Sequence, residues 1–65
     1  MSRERYRGRA WARAMSDRDV DLWQTAMVLG DWDWRDWFVD KPSKDFVRGA
    51  SDEIEYRDHY GMFSS

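Results

Sequence analysis

The sequence predicts an all-α domain of three or four short helices, and three observations carry that expectation. Helix-start chemistry recurs: at Ser2, at Ser16 followed by Asp17 and Asp19, and at Ser51 followed by Asp52 and Glu53. In each case a hydroxyl can accept from an orphan amide, and nearby carboxylates oppose the positive end of the helix dipole. Apolar residues then return at three- and four-residue spacing over 6–15 and 20–29, and Gly30 and Pro42 stand where helices stop. The competing fold is α+β, with N-terminal helices and a small antiparallel sheet drawn from residues 32–60. Trp32 with Trp34, and Ile54 with Tyr56, alternate as strand residues do.

The first helix is expected from Arg3 to Met15. Tyr6, Ala10 and Ala14 recur every four residues, Trp11 and Met15 widen that face, and Gly8 weakens the helix by about 1 kcal/mol relative to alanine. Arg5, Arg9 and Arg13 then form a basic stripe on the opposite side. The second helix starts at Ser16 and presents Val20, Trp23 and Met27, with Leu22, Ala26 and Leu29, as a broad apolar face ending at Gly30. Residues 31–40 suit a short helix capped by Asp31 or Asp33 and carrying Trp34, Trp37 and Phe38; the alternative there is a hairpin pairing 37–39 with 46–47. After Pro42, Ser43 or Lys44 starts one turn containing Phe46 and Val47 that stops before Gly49. A last helix from Ser51 holds Ile54, Tyr56 and Tyr60, closes at Gly61, and leaves residues 62–65 as a frayed tail.

At 65 residues the chain is read as one domain, and without cysteine it has neither disulfides nor thiolate metal sites to support it. Large side chains must do that instead. Five tryptophans, three tyrosines and three phenylalanines are more than so small an interior can hide, which predicts a partly exposed aromatic patch and hence a partner. Periodicity assigns Trp23, Trp34 and Trp37 to the core and leaves Trp11 and Trp32 as exposed anchors.

Charge is polarised along the chain. Residues 1–15 form a basic helix or arm of net +4, while the aromatic-rich body that follows, residues 16–61, contains the acidic residues that bring 16–65 to net −6. Arginine outnumbers lysine nine to two and aspartate outnumbers glutamate ten to three, a bias of GC-rich codons. No run approaches the roughly 20 apolar residues of a membrane span, and the arginine-rich start lacks the apolar stretch of a secretory signal, so a cytoplasmic location without membrane contact is expected.

The search for chemistry gives no catalytic centre and calls for no cofactor. Asp31 and Asp33 open like a calcium loop, but Arg35 and Asp36 occupy positions that need an oxygen ligand and a glycine. Glu55 and His59, four apart, offer a metal only two ligands, and the serines sit in cap or tail positions without a nucleophile frame. The positive signals are two. Arg5, Arg9 and Arg13, interleaved with Tyr6 and Trp11, could contact nucleic acid, although Asp17, Asp19 and Asp21 follow closely enough to pair with them. Asp31, Asp33, Asp36 and Asp40, with Trp32 and Trp11 as anchors, could instead dock on a basic surface of a larger protein. The preferred expectation is a non-enzymatic protein-interaction module acting as a small regulator or inhibitor, of a kind that would suit a phage-encoded effector of host machinery. Nucleic-acid binding through the arginine helix is the alternative. A homodimer, with the basic arm of one chain on the acidic body of another, is the third reading.

Overall fold

The computed structural model describes residues 2–60; the expected stop at Gly61 and the tail at 62–65 lie outside the described residues. Within them the chain is all-α. Helix α1 is Arg3–Arg13, α2 is Asp17–Leu29 and α3 is Lys44–Tyr60, with one 3-10 turn at Trp34–Asp36 and no strand among the described residues.

Three of the start signals are met by a capping bond. Ser2 Oγ accepts from Arg5 N–H at 3.1 Å, Ser16 Oγ from Asp19 N–H at 3.2 Å, and Ser43 Oγ from Phe46 N–H at 3.1 Å. Gly30 closes α2 in the left-handed region, at φ 76°, and Asp31 N–H reaches back to Ala26 O at 2.9 Å. Ser51 is different. The expected break at Gly49 and restart at Ser51 do not occur, and α3 runs through both as one 17-residue helix.

The reason lies across the helix crossing. A Cβ on Gly49 would collide with the Arg5 carbonyl, and one on Gly8 with the Phe46 carbonyl, so the two glycines let the backbones of α1 and α3 touch. Glu4 meets Ser43, Arg9 meets Glu53 and Ala12 meets Arg57, which shows that α1 and α3 run in the same direction. The chain must therefore travel back between them, and α2 with the 30–43 linker makes that return.

This crossing also corrects the expected face of α1. Gly8 and Ala12 are buried and Trp11 and Met15 pack on the core, whereas Tyr6, Ala10 and Ala14 face solvent. In α2 the inward residues are Val20 and Trp23; Leu22, Met27 and Leu29 are exposed. The core is Ala12, Val20, Trp23, Ala50 and Ile54, with Trp11, Met15, Trp32, Trp37, Phe38 and Val47 packed around it. Trp23 is its centre: its ring lies 5.7 Å from that of Trp11, 4.9 Å from Trp32 and 5.1 Å from Trp37. Fully burying a large apolar side chain contributes about 1.5–3 kcal/mol, so these few rings supply much of what a disulfide would in another domain this small.

Candidate interaction surface

The arginine stripe is engaged within the chain. Arg5 donates Nε and Nη2 to Asp52 Oδ2, the former at 3.2 Å. Arg9 Nε and Arg13 Nη2 both donate to Glu53 Oε1, at 3.4 and 3.5 Å. The partners are thus on α3, not the expected Asp17, Asp19 and Asp21. Asp17 instead takes Arg57 Nη2 at 2.8 Å, while Arg57 Nη1 donates to Ala12 O and Met15 O at 3.0 and 2.6 Å. One guanidinium so ties the carbonyl end of α1 to the start of α2, and sequence reading gave no sign of it because the contacts span 40 residues or more.

The linker carries the other set of candidate residues. After Gly30, Asp31 is exposed and Trp32 turns inward onto Trp23. Asp33 caps the 3-10 turn, its Oδ1 accepting from Arg35 N–H at 3.0 Å, and also pairs with the Arg35 guanidinium at 3.4 Å. Asp36 and Asp40 are exposed. Among the described residues no ion pair involves Asp31, Asp36 or Asp40. The linker therefore sets three uncompensated carboxylates in one segment, with Asp33 held back as a cap.

Three tryptophan assignments change: Trp32, expected as an exposed anchor, is half-buried against the core, and Trp11 and Trp34 differ as well. Trp11, expected as an exposed anchor, packs against the core, 4.8 Å from the Phe38 ring and 6.0 Å from that of Phe46, and does not join the linker surface. Trp34, expected in the core, lies at the surface side of the turn with the Arg35 guanidinium 5.0 Å from its ring. Trp37 joins the cluster around Trp23 and Trp34 does not, although both are half-buried.

Trp32 and Trp34 share an open groove of about 330 Å³ with Pro42 and Val47, and Lys41, Lys44 and Arg48 stand at its edge. The Trp32 Nε1–H is buried without an acceptor among the described residues. A second exposed apolar area lies on the outer side of α2, where Val28 is 85% exposed beside Leu29. Among the described residues no His, Asp and Glu are grouped as a metal site would require, and no helix is long and apolar enough to cross a membrane.

Comparison with protein-family models, with curated proteins and with solved structures gives no match. The class that fold and surface define is a small all-α domain, and its function is argued from its own residues.

Proposed function

We propose that the protein is a non-enzymatic interaction module, a small regulator or inhibitor, that presents its α2–α3 linker to a basic site on a larger protein. The observation that carries this reading is the set of exposed carboxylates at Asp31, Asp36 and Asp40, in no ion pair among the described residues, in the same segment as the half-buried indole of Trp34. Carboxylates on a short, capped segment steer a cationic partner, and an aromatic side chain at the centre of such a patch supplies the anchoring area. Ser2, Ser16 and Ser43 are occupied as helix caps, and His59 stands exposed at the last turn of α3.

Nucleic-acid binding through Arg5, Arg9 and Arg13 draws less support, because each guanidinium already has a carboxylate and would have to leave it for a phosphate. The same ion pairs weigh against a dimer in which the arm reaches a second chain. The test is affinity capture from a host lysate with the parent protein and with Asp31, Asp36 and Asp40 all replaced by Asn. A protein retained by the parent after nuclease treatment and lost by the triple variant is the expected result. Capture that disappears with nuclease, or that the triple variant retains in full, overturns the reading.

A further inference from the structure

We propose that the groove between the linker and α3 is a second docking site, of opposite polarity, for an acidic peptide segment bearing one large apolar residue. Its walls are apolar: Trp32, Trp34, Pro42 and Val47 are all half-buried around it. Its edge is cationic. Lys41, Lys44 and Arg48 are exposed, and no ion pair among the described residues includes any of them. Asp40 and Asp45 adjoin the rim in sequence, yet neither pairs with it.

This arrangement is costly to an isolated domain. Lys44 and Arg48 are four residues apart on α3, a spacing at which like charges repel, and Lys44 sits at the positive end of the helix dipole. Elsewhere Arg5 is neutralised by Asp52, Arg9 by Glu53 and Arg57 by Asp17, while Arg3 and Arg18 are in no ion pair among the described residues. What distinguishes the three unpaired cations Lys41, Lys44 and Arg48 is that they gather around one apolar groove. An anionic occupant removes that repulsion, while the lysine and arginine stems extend the apolar wall.

The size sets what enters. About 330 Å³ is at the lower limit for ligand pockets and accepts one large side chain rather than a folded element. The Trp32 Nε1–H, the one buried side-chain donor left without an acceptor among the described residues, is on a residue of the wall. An unmet buried donor is destabilising, and a small rotation of the indole toward a peptide carbonyl would satisfy it. The groove shares Trp34 with the surface of the proposed function but none of its three carboxylates, so different variants test the two readings, and together they describe an adaptor.

The probe is a pool of hexapeptides with glutamates at both ends and a central pair drawn from Leu, Ile, Phe, Tyr and Trp, titrated into the 15N-labelled full chain. Saturable shifts of the Trp32 and Trp34 indole N–H signals are expected, with those of Trp11 and Trp23 unmoved. Replacing Lys41 and Arg48 together by Glu should weaken binding at least about tenfold, because two attractive contacts become repulsive. Both side chains are exposed, and an unchanged indole spectrum of that variant shows that its fold survives. The Asp31, Asp36 and Asp40 to Asn variant should bind the pool no less tightly than the parent. Silence at Trp32 and Trp34, equal binding of a lysine-flanked pool, equal binding of a glycine-centred acidic peptide, or indifference to the charge reversal would each overturn the proposal.

Discussion

Glu53 is 3% exposed, and its two cationic partners are not buried with it: the Arg9 side chain is 36% exposed and that of Arg13 72%. The pair is therefore asymmetric. If the carboxylate is neutralised, both guanidinium groups remain in reach of water; if Arg9 is neutralised, the buried carboxylate keeps only a 3.5 Å contact with Arg13. Breaking a buried pair is expensive when the charge left behind is the buried one, and nearly neutral when it is not. Glu53→Gln should therefore change stability by less than about 1 kcal/mol, whereas Arg9→Met, which keeps the aliphatic stem, should cost about 2 kcal/mol. Combining them should restore stability to near that of Glu53→Gln. Urea unfolding of the three variants checks the ranking, and a costlier Glu53→Gln would mean that Glu53 is held by something other than these arginines. The four-residue spacing of Arg5, Arg9 and Arg13 was legible in the sequence. Their partners were not, because Asp52 and Glu53 lie 40 or more residues away and meet them only once two helices cross.

At the level of elements, the helix starts at Ser2 and Ser16 and the stop at Gly30 were legible because each is a local bond between a side chain, or a left-handed residue, and the next few amides. The α1–α3 contact was hidden by the same local logic. Gly8 reads as a propensity penalty and Gly49 as a breaker, and only a second helix turns both into contact points. A signal was present: Gly8, Trp11, Ala12 and Met15 fall at i, i+3, i+4 and i+7, a buried face that the polar neighbours Arg9 and Arg13 obscure. Propensity and packing now predict opposite signs. On propensity alone Gly8→Ala should stabilise by about 1 kcal/mol. Because the new methyl would meet the Phe46 carbonyl, a backbone atom that cannot rotate away, we expect destabilisation by at least about 2 kcal/mol. For a domain of this size that is a fall in Tm of roughly 8–16 °C. Thermal unfolding followed by circular dichroism decides it, since a raised Tm would leave no role for the close approach.

The whole molecule is flat, 34 × 27 × 16 Å, and its parts are unequally joined. The backbones of α1 and α3 approach closely along the crossing, while α2 comes near α3 at few points and is reached mainly by large side chains, Trp23 above all. One face of α2 is in water, with Leu22, Val28 and Leu29 exposed, so removing the helix uncovers little beyond Val20, Trp23 and the rings that touch them. The Arg57 to Asp17 pair is the one ion pair among the described residues that links α2 to α3, and Asp17 is largely solvated. Elements with few buried contacts open before the rest. Native-state hydrogen exchange should then show the α2 amides opening at a free energy at least about 1 kcal/mol below that of the α1–α3 pair, a margin set by the two buried α2 side chains against the continuous crossing. The linker hangs from α2, so the carboxylates at Asp31, Asp36 and Asp40 and the wall formed by Trp32 and Trp34 would move with it. That gives both docking surfaces the adaptability of the less stable part while α1 and α3 hold the fold. Coincident opening free energies in all three helices would contradict this division, and would require the aromatic cluster around Trp23 to bind α2 as firmly as the glycine crossing binds its neighbours.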